Sequence, residues 1–164
     1  MTDFLAADYA IRQLHGRYVD AAWRKDADAL ANCFAEGAEW KIAGMHLRGR
    51  AEIADAFTQL TAGSERVLMI VGMPILEIGQ GTASGRVHVT EIIKRLDGTA
   101  ARTIGVYYDR YVGEGDNWMF QSRHWQVFYR GPTDFSAPFI DGPEHGLPPG
   151  MPGPDDPTTP RKNF

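Results

Sequence analysis

The hydrophobic period of this chain changes once. Up to Leu60 apolar residues recur at helical spacing; from Glu65 to Arg130 they alternate or run together as strands do. Helices first and strands afterwards do not fit the repeated strand–helix order of a doubly wound parallel sheet. They fit a single α+β domain, with helices packed on one face of a curved antiparallel sheet.

The helical part divides in three. Phe4, Leu5, Tyr9, Ile11, Leu14, Tyr18 and Ala22 recur at helical spacing over residues 3–24, with Asp3 as N-cap. A short helix is predicted over 26–34, and a third over 50–60 with Ile53, Phe57 and Leu60 on one face. Between them, 38–43 and 45–47 read as a small hairpin turning at Gly44. The run from Val67 to Ile78 is too β-branched for a helix and contains Gly72 and Pro74, so it reads as a strand with a bulge or an edge position. Strands over 85–95, 101–112 and 117–130 follow, joined at Asp97-Gly98 and at residues 113–117. Nine of the ten prolines lie at or beyond Pro132. The chain therefore divides into a domain over 1–132 and a Pro/Gly-rich arm over 133–164, which Phe135, Phe139 and Ile140 equip to dock on its own subunit or a neighbour.

Composition excludes several classes of function. A net charge of −4 with no long Lys/Arg cluster leaves no phosphate-binding face, so nucleic acid is not an expected partner. No run approaches the ~20 apolar residues of a membrane span, and Asp3 and Asp8 rule out a signal peptide at the start. The single cysteine, Cys33, permits no internal disulfide and reads as a core thiol. A cytoplasmic protein is expected. The five histidines show no metal-ligand spacing, and no phosphate-binding glycine loop or nucleophile elbow is present, so neither metal nor cofactor is expected.

Residues 11–44, from Ile11 through Tyr18 and Trp40 to Gly44, resemble the opening of SnoaL-like and scytalone-dehydratase-like domains. Residues 105–132 resemble their closing strand pair. The resemblance implies the cone fold of the nuclear transport factor 2 and ketosteroid isomerase type, with an enclosed apolar pocket. Its dehydratase and dehydrochlorinase branch pairs an Asp near the end of the first helix with a His on the first long strand. Here Trp23 stands at the first place and Met69 or Ile70 at the second, so that dyad is missing.

In such a fold Tyr18 projects over the pocket, and the resemblance turns Tyr107 inward. Alternation then places Asp109, Gln121, Arg123 and Trp125 inside, and His88, Thr90 and Ile92 on the preceding strand. The expected catalytic set is His88 as proton carrier, Tyr18 as oxyanion donor, and Asp109 and Arg123 to set charge. The alternative for Asp109 and Arg123 is a plain buried bridge. Trp23, Trp40, Met69, Ile92, Tyr107, Gln121 and Trp125 are the expected substrate wall. His15, His46 and His145 have no evident role. Val87, Val89 and Ile93 fall on the outer face, where they would drive dimer or trimer formation.

The function expected is a cofactor-independent lyase or isomerase acting on a small hydrophobic cyclic or aromatic molecule. The alternatives are a non-catalytic small-molecule-binding domain and the small subunit of a ring-hydroxylating oxygenase, which shares the fold.

Overall fold

The computed structural model describes residues 3–140, 145–153 and 156. Three helices, α1 (Phe4–Arg24), α2 (Ala27–Ala31) and α3 (Gly49–Thr61), pack on a curved, unclosed sheet. The strands are β1 (Phe34–Ile42), β2 (Met45–Arg48), β3 (Ser64–Val71), β4 (Ile75–Ile78), β5 (Thr82–Arg95), β6 (Ala100–Glu114) and β7 (Asn117–Gly131). They run in the order β2-β1-β7-β6-β5-β3, with β4 also on β5. Among the described residues only the β1–β7 pairing is parallel, so the sheet is mixed where antiparallel pairing alone was expected.

Asp3 caps α1 by accepting from the backbone N–H groups of Leu5 and Ala6, at 3.0 and 3.3 Å. Such a cap contributes about 1 kcal/mol. The helix stops at Lys25, whose left-handed φ of 55° turns the chain. Its buried face carries Ala7, Ala10, Ile11, Leu14, His15, Tyr18, Ala21 and Ala22. Four alanines on one face let the helix lie close to the sheet, and Tyr18 is its bulkiest inward residue.

Two departures from the expected elements have a clear cause. The second helix ends at Ala31 because Phe34 already belongs to β1, where it is buried beside Phe120. The long apolar run is two strands, since Gly72 to Pro74 leave the ladder.

The β5–β6–β7 register sets every later assignment. Val87 lies opposite Tyr107, and Tyr107 opposite Trp125; Asp109 lies opposite Arg123. Residues directly opposite in an antiparallel pair share a face. Val87 and Val89 therefore point inward and are fully buried, while His88 points outward and is exposed. This corrects the expected face of β5. A one-residue difference inverts the whole strand, so His88, Thr90 and Ile92 leave the interior, and Val87, Val89 and Ile93 leave the outer face.

The arm residues described lie partly on that outer face. Arg86 donates to the carbonyls of Gly153 and Asp156, and Arg110 donates to that of Pro149 at 3.0 Å. Phe135 and Phe139 pack tilted against Tyr129, with ring centres 5.0 and 5.5 Å away. The remainder of the expected arm over 133–164 lies outside the described residues. Among those described, no helix is long and apolar enough to cross a membrane.

Candidate active site

A cavity of about 210 Å³ opens between α1, α3 and the inner face of the sheet. Trp40, Phe57, Met69, Tyr107 and Trp125 supply most of its wall. A dry cavity of about 150 Å³ holds one benzene ring, so this volume suits a single ring with substituents or a small fused pair. Gly105 helps set that shape: a Cβ there would run into the Gln126 carbonyl oxygen and lie 2.7 Å from the Trp125 ring, so only glycine lets the indole sit where it does.

Three oxygen-bearing side chains matter in this wall: Tyr18, Tyr107 and Glu91. The two tyrosine hydroxyls lie close enough to bear on each other's ionisation, favouring negative charge on Tyr18 and opposing it on Tyr107. Both tyrosines line the cavity, where a phenol O–H can donate to a ligand oxygen. Burial raises the Tyr18 pKa to about 12, opposed by the nearby Arg123 charge. Burial also holds Tyr107 well above the ordinary phenol value. Both remain neutral donors at working pH.

Glu91 sits on β5 between Met69 of β3 and Thr103 of β6, with Arg130 next along the same row on β7. It is half-buried; it lines the cavity, and protein surrounds its carboxyl. Burial raises its pKa to about 7, even though Arg130 and Arg123 favour the charged form. The sequence reading missed this residue because it followed the opposite parity of β5. The available signal was a lone carboxylate in the alternate set Val87, Val89, Glu91, Ile93.

Behind the tyrosines lies a second, closed polar cluster. Arg123 grips Asp109 through Nε and Nη2 at 2.8 and 3.1 Å, and Tyr111 donates to the same carboxylate at 3.2 Å. His15 Nε2 lies 2.9 Å from the Tyr111 oxygen. Since that hydroxyl donates to Asp109, its oxygen accepts from His15, whose proton is therefore on Nε2. The guanidinium carbon lies 3.8 Å from the Tyr107 ring centre, 4.1 Å from that of Phe120 and 4.4 Å from that of Tyr18. Neither Asp109 nor Arg123 lines the cavity. Burial opposes charge on both, but the two-pronged contact keeps them an ion pair and makes Arg123 more basic than usual. Burial, then the Arg123 charge, holds His15 well below its ordinary value and hence neutral.

The structure thus places Tyr18, Trp40, Met69, Tyr107 and Trp125 on the cavity, and Asp109 and Arg123 one layer beneath it. Four expected residues lie elsewhere. Trp23 is 45% exposed, because five residues beyond Tyr18 is the far side of the helix; the Arg66 guanidinium covers it at 5.4 Å. His88 and Ile92 are on the outer parity of β5. Gln121 is exposed because the β6–β7 register shifts there: Tyr111 pairs with Phe120 and Arg110 with Ser122, leaving Gln121 as the bulge residue.

This fold is shared with known proteins. The SnoaL-like domain model matches residues 3–124, and the chain belongs to that family. A protein of Novosphingobium aromaticivorans provisionally assigned as a scytalone dehydratase superposes with a TM-score of 0.72. It has 17% identity over 91% of this chain and 97% of its own. A hexachlorocyclohexane dehydrochlorinase from Novosphingobium barchaimii gives 0.71 at 18% identity, over 84% and 97%. The beta subunit of a provisionally assigned aromatic-ring-hydroxylating dioxygenase from N. aromaticivorans gives 0.64 at 16%, over 74% and 88%. No curated protein matches the chain significantly in sequence.

Proposed function

We propose that the cavity is the active site of a cofactor-independent lyase or isomerase acting on a small hydrophobic cyclic or aromatic molecule. The observation that carries this reading is the Tyr18–Tyr107 hydroxyl pair in a wall otherwise built largely from indole, thioether and phenyl groups. A neutral donor in a dry site stabilises an oxygen that gains negative charge during the reaction far better than it stabilises the uncharged ground state. Asp109 and Arg123 act as positioning residues, since the guanidinium lies against both tyrosine rings from beneath. The dehydratase and dehydrochlorinase names of the structural neighbours accord with elimination chemistry. With Trp23 and Met69 at the places of the family's dyad, the proton must move through another group.

The test is turnover. Cyclic ketones, hydroxylated aromatics and dehydratable polyketides are offered to the purified protein, and any active substrate is repeated with Y18F. A loss of about 10²–10³ in kcat with the fold intact supports the reading. Tight binding of apolar ligands with no turnover favours the non-catalytic domain, and copurification of an iron–sulfur subunit favours the oxygenase small subunit.

Self-association is proposed through the outer face of β3 and β4, where Leu68, Ile70 and Ile75 are 43%, 54% and 44% exposed. Sedimentation at micromolar concentration is expected to give a dimer or trimer, and I70E to give a monomer; a wild-type monomer would refute it. A cytoplasmic setting accords with the lone buried thiol of Cys33.

A further inference from the structure

We propose that Glu91 is the proton-abstracting base of this site, and that its substrates are cyclic ketones with an acidic C–H beside the carbonyl. The inference rests on the reading above and deepens it. Glu91 lines the same cavity as Tyr18 and Tyr107, and lies close enough that its charge bears on both phenols. A base and an oxyanion donor thus share one small apolar chamber. The other acidic candidate, Asp109, is committed to Arg123 and Tyr111 and does not reach the cavity. His88 is on the outer face of the sheet.

The chemistry follows from that placement. A Glu91 carboxylate oxygen takes the hydrogen α to the carbonyl; the C–H bond breaks and an O–H bond forms. The freed electron pair becomes the enolate double bond, and the carbonyl π electrons move to the oxygen, where the Tyr18 O–H donates to it. The proton then goes back to carbon at a conjugated position, as isomerisation, or the Glu91 carboxyl gives it up to solvent, takes a solvent proton (a deuteron in D₂O) in its place and delivers that to the original carbon, as exchange. If a β-hydroxyl is present, it leaves instead as hydroxide and takes the Glu91 proton to become water. No oxidant, reductant or other co-reactant is needed. The groups that bear on the Glu91 carboxyl are Arg130 and Arg123, with Arg95, Tyr18 and Tyr107 on the same cavity. Burial holds its pKa near 7, which matches a base to a reaction run at neutral pH.

The experiment requires no knowledge of the natural substrate. The protein is incubated with 2-indanone in D₂O, and loss of the α-hydrogen signal is followed by NMR. The wild type is expected to accelerate exchange above buffer, with a rate rising towards a plateau about a midpoint near pH 7. E91Q, which keeps the shape and removes the base, is expected to lower it by about 10²–10⁴. Y18F is expected to lower it by a smaller factor with the midpoint unchanged. H88A is expected to behave as wild type. Exchange that survives in E91Q while Y18F is impaired would overturn the assignment of Glu91 and leave the proposed function standing. Loss in H88A but not in E91Q would return the role to the outer strand face. No exchange by the wild type overturns the ketone inference; if no other substrate class is turned over while ligands still bind, the proposed function falls with it.

Discussion

The Asp109 carboxylate and the Arg123 guanidinium meet edge to edge across β6 and β7, at 2.8 and 3.1 Å, fully buried beneath the cavity. Removing one partner strands a charge in the interior, so D109N or R123M should each cost about 3–5 kcal/mol, read as a shift in the urea midpoint. The paired replacement D109L/R123M should recover most of that loss. Single variants as stable as the wild type would show that the pair is not closed to water.

Glu91 links the site to stability. Its folded-state pKa, about 7, lies above the ordinary carboxyl value, so the folded protein binds more protons than the unfolded chain between those values. Stability therefore falls as pH rises from about 4.5 through 7, by roughly 2–3 kcal/mol from this group. E91Q should flatten that part of the profile and be more stable than the wild type at pH 8. Parallel profiles for the two proteins would mean that Glu91 is not held in a dry wall.

The sequence showed the order of elements clearly, because the change from helical to strand period spans long, strongly patterned segments. The inward positions of Tyr18 and Tyr107 were what the family resemblance implied, and strand alternation from Tyr107 then gave Asp109 and Arg123. His88 and Glu91 were exchanged because parity within β5 depends on how it registers against β6, and both Asp97-Gly98 and the flanking residues allow either register. Gln121 was misplaced by a bulge that no residue type announces. The coupling of His15 to Asp109 through Tyr111 crosses from helix to sheet over 96 positions and leaves no local trace.

The C-terminal arm is held by charge-assisted hydrogen bonds from Arg86 to the Gly153 and Asp156 carbonyls and by the packing of His145 on His124. R86A should release residues 145–153, seen as faster amide exchange there, with a loss of about 2 kcal/mol. Burial, aided by the charges of His145 and Lys41, lowers the His124 pKa to about 4. Its contribution is thus present above the ordinary histidine value and is lost as pH falls through about 4. Arm exchange should quicken in that window in the wild type and not in H124Q. Equal protection of the arm in all three proteins would contradict this attachment.

The central claim is that a small cyclic ligand enters the cavity with its oxygen on Tyr18. A crystal structure of the protein soaked with phenol tests it most directly. The account predicts the ring among Trp40, Met69 and Trp125, with the phenol oxygen within about 2.5–3.0 Å of the Tyr18 hydroxyl. Phenol bound only on the outer face under the arm, or seated in the cavity with its oxygen turned to Arg95 and Arg130, would contradict it.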